Sequence, residues 1–374
     1  MKEEIYLASI SDIHLGAKKN PARDIIDNLR KAFPCNERTG ELDIIFIGGD
    51  VFDTLLTFPN DDVADIKEWI GSLLFTCSKY NIALRVLEGT PSHDWQQSKH
   101  FITIAKLLKQ PIDIAYVREL SIEYIEHLGI NVLYVPDECN PTAEKTLSQV
   151  RELMRAKGLH QVDIAIMHGA FSYQLPENVK CQKHDPDAYL SLVKYLIFVG
   201  HIHTYSTYSR VIAQGSFDRC GHGEEEPKGH IEAKINLDTG NYKIRFIENK
   251  GARIYKTIYC KNMSLEDTLS RVDKGVVGIV DGSCIRVVCD SDNPIAKDLA
   301  SLIRKYPLLT WSVKVQDDET DDELTIKEEE SEVVFNPVTI TSSNIEKLLL
   351  ERLAIMDIDS KIQNTATTIL AEVK

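Results

Sequence analysis

Seven residues far apart in the chain have side chains that hold metal ions: Asp12, His14, Asp50, His93, His168, His201 and His203. Asp12 and His14 stand two apart, as do His201 and His203, so each pair can turn toward one ion where a strand opens into a loop. Mixed imidazole and carboxylate donors suit manganese, iron or zinc and are poor for calcium. One carboxylate flanked by two such sets can bridge two ions. Two ions roughly 3.5–4 Å apart clamp both oxygens of an in-line phosphoryl displacement. A hydroxide held between them would be the nucleophile, because a bound metal lowers the pKa of water.

Each cluster follows a short apolar run. Ser11-Asp12-Ile13-His14 follows 5–10, Gly48-Gly49-Asp50 follows 43–47, and Gly89-Thr90-Pro91-Ser92-His93-Asp94 follows 83–87. His168-Gly169 follows 163–167, and Gly200-His201-Ile202-His203 follows 196–199. A further β-rich run covers 131–135. Helical spacing fills the gaps: after Asn20-Pro21, read as N-cap and first helical residue, with apolar positions 25, 26, 29, 32 and 33; over 61–79; and over 97–109. Strands alternating with helices predict a layered α/β domain. In such a sheet the carboxyl ends of the strands share one edge, where ligands bind, so the five clusters are expected to converge.

After residue 205 the pattern changes. The runs 231–237 and 242–248 flank Asp238-Thr239-Gly240-Asn241, a hairpin signal. A smaller α+β unit spans about 257–315, with strands at 285–289 and 311–315 and a helix at 295–305. Residues 317–332 then carry ten acids and one lysine, a net −9 of the chain's −14, which leaves −5 elsewhere. The acidity is therefore largely local and does not exclude a nucleic-acid partner. The C-terminal region reads as helical, opened by a Ser343/Glu346 capping box. Its apolar positions are 345, 348, 349, 353 and 356, then 362, 366, 369, 370 and 373.

The order D-x-H, G-D-x-x-D, H-D, H, G-H-x-H resembles the calcineurin-like metallophosphoesterases over residues 5–205. That resemblance implies a first ion on Asp12, His14, Asp50 and His203 and a second on Asp50, His168 and His201, with Asp50 bridging. His93 matches the catalytic histidine, which protonates the leaving oxygen or steadies the phosphate. Asp53 and Asp94 would orient histidines. The family's metal-binding Asn is replaced by Ser92, a weaker ligand, which puts the second ion's affinity in question.

Within the family, Gly215-Ser216 through Arg219 and Glu224 through Pro227-Lys228-Gly229 look like the SbcD nuclease branch, as does the extension Leu15-Gly16. The resemblance implies a manganese-dependent DNA exonuclease and endonuclease subunit of a repair and recombination complex, with an SbcC-type coiled-coil ATPase as partner. It also implies a homodimer through the helices at 61–79 and 97–109. The implied layout is a nuclease domain at 1–255, a DNA-capping domain at 256–316, an acidic linker at 317–335 and docking helices at 336–374. Lys18, Lys19 and Arg219 lie beside the motif loops and are candidates for phosphate contact. A phosphatase or small-molecule phosphodiesterase on the same scaffold, or a scaffold subunit without catalysis, are the rival readings.

Composition bounds the rest. At 43% hydrophobic and 27% charged residues, the 374-residue chain is ordinary for a globular protein of two or three domains. Its eight scattered cysteines form no CxxC pair, which argues against a disulfide framework or zinc ribbon and for a reducing compartment. No apolar run approaches the ~20 residues of a membrane span, and the run after Met1-Lys2-Glu3-Glu4 is too short for a signal-peptide core. The expected place is the cytoplasm, a host's if the chain is phage-encoded.

Overall fold

The apolar runs become strands whose two faces are both covered. A computed structural model of the chain describes residues 2–18, 20–57 and 62–316. In it β1 (Glu4–Ile10), β2 (Ile44–Ile47), β3 (Ala83–Leu87) and β4 (Ile114–Val117) run parallel, side by side. Next come β5 (Ser121–Ile125), β6 (Ile130–Val135) and β7 (Val162–His168), then the two-residue pair β8 (Ala170–Phe171) and β9 (Lys183–His184). They are followed by β10 (Val193–Gly200), β11 (Ser206–Tyr208) and β12 (Val211–Ala213). The expected hairpin forms from β13 (Gly229–Asn236) and β14 (Tyr242–Glu248).

The strands do not share one sheet. They make two six-stranded mixed sheets, ordered β14-β13-β1-β2-β3-β4 and β11-β12-β10-β7-β6-β5. Alternation explains the arrangement. In β2, Ile44 and Phe46 join the cluster between the sheets, while Ile45 and Ile47 join the one under the helices. In β7, Ile164 and Ile166 face inward, and Ala165 and Met167 face outward. Each such buried Ile or Phe stabilises the fold by about 1.5–3 kcal/mol. A continuous apolar run shows that both faces are buried but does not say against what, so a single edge and a two-sheet edge look alike in sequence.

Helices Ala22–Ala32, Asp62–Tyr80 and Lys99–Leu108 cover the first sheet, with Trp69 edge-on to Phe101 at 5.9 Å. Helices Ala143–Ala156 and Pro186–Leu192 cover the second. Asn20 does not cap the first helix, which begins after Pro21 with no side-chain cap. The Asn20 side chain is buried instead. It donates to the Arg219 carbonyl and accepts from the Tyr255 hydroxyl at 2.8 Å.

The last described strands, β15 (Tyr255–Tyr259), β16 (Cys284–Cys289) and β17 (Thr310–Val315), form a separate parallel sheet with its own apolar cluster. It lies within one compact unit, Met1–Asp321. Helix Leu265–Gly275, capped by Ser264, connects the first two of these strands. The helix expected at 295–305 is two pieces, a 3-10 turn Pro294–Ala296 and a helix Ala300–Lys305. Asn293 caps that turn, its side-chain oxygen accepting the Ile295 amide at 3.1 Å. All eight cysteines are free. The acidic run and the C-terminal helices lie outside the described residues. Among the described residues, no helix is long and apolar enough to cross a membrane.

Candidate metal centre

Backbone bonds bring the first two clusters together. The amides of Asp12, Ile13, His14 and Leu15 donate to the carbonyls of Gly49, Asp50, Asp50 and Val51 at 3.1, 2.8, 3.1 and 2.9 Å, so the loops after β1 and β2 are zipped side by side. Asp12, His14, Asp50 and His201 have φ of 51, 54, 50 and 95°, in the left-handed region that few non-glycine residues adopt. Backbone strain of this kind gathers at functional sites. Gly89 lets the third cluster close in, because a Cβ there would lie 2.1 Å from the Asp50 amide nitrogen.

Around Asp50 one set of donors is drawn closely together. Its Oδ2 lies 3.3 Å from His168 Nε2 and 2.9 Å from His93 Nδ1. The donor atoms of Asp50, His168 and His201 all lie within 4.8 Å of one another. Thr90 occupies the middle of the set. Its amide donates to Asp50 Oδ1 at 2.6 Å, and its hydroxyl lies 3.2 Å from Asp50 Oδ2 and 3.5 Å from both His168 Nε2 and His201 Nδ1.

The other set is looser. His14 Nε2 and His203 Nε2 are 3.0 Å apart, Asp12 Oδ1 is 3.8 Å from His203 Nε2, and Asp50 Oδ2 is 4.0 Å from His14 Nε2. The Asp12 carboxylate is fully buried and accepts the His201 amide at 2.9 Å. Glu224 reaches the outer side of His203, 2.8 Å from Nδ1, and is itself held by Lys228 at 3.0 Å. Cys220 completes a group with His14 and His203.

These atoms fit a divalent ion. His168 Nδ1 is 2.7 Å from the Gly48 carbonyl and His203 Nδ1 is on Glu224, so each ring donates outward and presents Nε2 inward as a lone pair. This is how metal-binding histidines are usually fixed. Inward, the His168 lone pair meets Asp50 and that of His203 meets Asp12 and His14 Nε2, an arrangement that a cation or added protons relieve. Donors roughly 2.0–2.2 Å from a shared ion fall about 3–3.6 Å apart, close to the spacings found. The same demand for positive charge appears in the titration of the groups. Burial would raise the Asp50 carboxyl, but His168, then His93 and His14, hold it well below the usual range. Burial would lower His168, yet Asp50 raises it well above the usual value. Burial also opposes charge on His203, and its bonds to Cys220 and Glu224 overcome that. Glu224 falls to about 2, with burial outweighed by His203 and Lys228.

No protein-family model and no curated protein matches the chain. Among solved structures it is similar to TT1561 of Thermus thermophilus, 11% identical over 65% of this chain and 98% of that one, with a TM-score of 0.36. It is also similar to GAP50, the anchor in the inner membrane complex of Plasmodium, 12% identical over 68% and 87%, with a TM-score of 0.40. Likenesses this slight carry no argument about the reaction.

The structure thus brings Asp12, His14, Asp50, His93, His168, His201 and His203 to one place. Ser92 is not part of it. Pro91 starts a short helical turn, Pro91–Asp94, that leaves Ser92 exposed, and the hydroxyl among the donors is that of Thr90. Asp53 lies 3.3 Å from His14 Nδ1, an ion-pair distance without a hydrogen bond. Asp94 has a different task. Its carboxylate accepts the amides of Asp50, Phe52 and Gly89 at 3.1, 3.0 and 2.7 Å, so it ties two loops together rather than turning a ring. Burial and the charges of Asp50 and Glu88 push it up to about 8. Arg219 donates through Nη1 to the carbonyls of Ala252 and Arg253 at 3.2 Å each. Lys18 is exposed, and Lys19 lies outside the described residues. Sequence reasoning missed Thr90, Asp137, Cys220 and the contact of Glu224 with His203. Thr90 had a signal, since it directly follows the Gly89 that closes β3.

Proposed function

We propose that the chain is a calcineurin-like metallophosphoesterase acting on DNA, the manganese-dependent nuclease subunit of an SbcCD-like repair complex. The observation that carries this reading is the meeting, at the strand ends of two sheets, of imidazole donors on two sides of Asp50, His168 and His201 on one and His14 and His93 on the other. Asp12, His14, Asp50 and His203 would hold one ion and Asp50, His168 and His201 the other. When bound, the ions would supply positive charge to a phosphodiester and activate water at neutral pH. His93, whose side chain is 30% exposed, would give a proton to the leaving oxygen. Asp50 orients that ring through Nδ1, and Glu224 orients His203.

Support for DNA over a small ester comes from the segment after residue 214 and the unit beyond it. The motif residues Ser216, Glu224 and Lys228 form one bonded group behind His203. The separate sheet is tied to this segment and to the β1 loop through Thr257–Glu225 and Tyr255–Asn20 bonds, a fitting place for a cap over duplex DNA. The same reading expects a coiled-coil ATPase partner in the cytoplasm. It expects a homodimer through helices Asp62–Tyr80 and Lys99–Leu108, where Phe75 and Leu107 are exposed.

The test is cleavage of end-labelled duplex and single-stranded DNA with manganese, comparing wild type with Asp50→Ala. Cutting is expected for wild type alone, with both ions lost from the variant. Cleavage of a chromogenic phosphodiester but of no DNA, with or without the ATPase, would transfer the assignment to a small-molecule phosphodiesterase.

A further inference from the structure

A sixth strand end reaches the centre. β6 pairs with β7 in parallel, Val135 opposite Met167, so the residues after Val135 emerge beside His168. The second of them is Asp137. Its side chain is 12% exposed, and its Oδ2 lies 3.3 Å from the Thr90 hydroxyl and 3.6 Å from His201 Nδ1. Its Oδ1 accepts the neighbouring Glu138 amide at 3.0 Å, which fixes the carboxylate's orientation.

The Thr90 hydroxyl has one proton to give. Around it, within 3.5 Å, stand Asp50 Oδ2, Asp137 Oδ2, the inward nitrogen of His168 and His201 Nδ1. His168 Nδ1 is matched to the Gly48 carbonyl, which leaves its inner nitrogen facing Asp50 and the hydroxyl. Two carboxylate oxygens and two imidazole nitrogens therefore crowd around one hydroxyl in a largely buried site, an arrangement that a cation would relieve.

Building on the function proposed above, we propose that Asp137 is a direct ligand of the ion held by Asp50, His168 and His201. It supplies from β6 the oxygen donor that the metallophosphoesterase pattern takes from an Asn after β3. A carboxylate in that position is anionic and hard where an amide is neutral, so it favours manganese or magnesium over softer ions. It also raises the second site's affinity, which Ser92 had put in question. Thr90 lies between the two carboxylates and is held by Asp50 through both its amide and its hydroxyl.

The test is manganese binding to the full chain, by titration calorimetry and by metal analysis after dialysis, for wild type, Asp137→Ala, Asp137→Asn and Asp50→Ala. Two ions are expected on wild type. Asp137→Ala should keep one ion at wild-type affinity and bind the other more than ~100-fold more weakly, beyond the ~10–100-fold that loss of a residue merely orienting a ligand costs, with Asp137→Asn in between. The spin-coupled manganese-pair signal in electron paramagnetic resonance should give way to that of a single ion. Asp137→Ala with two ions at wild-type affinity overturns the Asp137 assignment while leaving the metallophosphoesterase reading intact. Wild type that binds no divalent ion overturns both.

Discussion

Gly89→Ala tests whether the centre depends on close contact between two loops. A methyl group built on Gly89 would sit 2.1 Å from the Asp50 amide nitrogen and 2.2 Å from Asp50 Oδ1, where ordinary contact begins at 3.4 Å. Both atoms belong to a residue that bonds to Thr90 and, through its amide, to Asp94, so neither can swing aside as a flexible side chain would. Relief therefore needs roughly 1 Å of movement of the Asp50 loop. Overpacking of this kind costs about 1–3 kcal/mol, a fall of a few degrees in Tm for a domain of this size. The chemical effect should be larger, because a 1 Å misplacement in a reacting centre costs about 10²-fold in rate. Melting curves, manganese titration and DNA cleavage would be measured on the same preparation. Weakened ion binding with only a modest loss in Tm is expected. A variant that melts and binds manganese like wild type would refute the reasoning, since it would mean the loops part at no cost.

His93→Ala should abolish cleavage while both ions stay bound, since Asp50 keeps His168 and His14 beside it. Loss of an ion would make His93 a ligand. Glu232 tests the linkage of charge to stability. It is buried, and although burial favours its neutral form, His230, Tyr6 and Arg245 hold its pKa below the usual carboxylate range. An acid with a depressed folded pKa stabilises the fold above its unfolded pKa and loses that contribution as pH falls through the folded value. Glu232→Gln should therefore lower Tm at pH 7, with a gap to wild type that narrows as the pH drops below about 4.5. A gap independent of pH would show that the loss is one of packing.

Much of the site was legible because its strands are buried on both faces and read as unbroken apolar runs, each ending in a His, Asp or Gly cluster. What lay beyond the sequence was non-local. The runs do not say which sheet they join, and Asn20 looks like a cap until Tyr255, far along the chain, takes its side chain. Asp137 went unread because Pro136-Asp137-Glu138 has no histidine or glycine to mark it, and β6 becomes relevant only through its pairing with β7. Ser92 drew attention as the neighbour of His93, but a helical turn begun by Pro91 decides which hydroxyl turns inward.

The division of the centre between two sheets has a mechanical consequence. Asp50 stands at the edge of one sheet, and His168 and His201 at the edge of the other, and the sheets meet across a largely apolar interface bridged by the Arg85–Glu123 pair. An ion gripped by all three would act as a rivet through the sandwich. At a hundredfold excess over its Kd such an ion would add about 2.7 kcal/mol against unfolding, and a chelator would soften the seam between the layers as well as silence the chemistry.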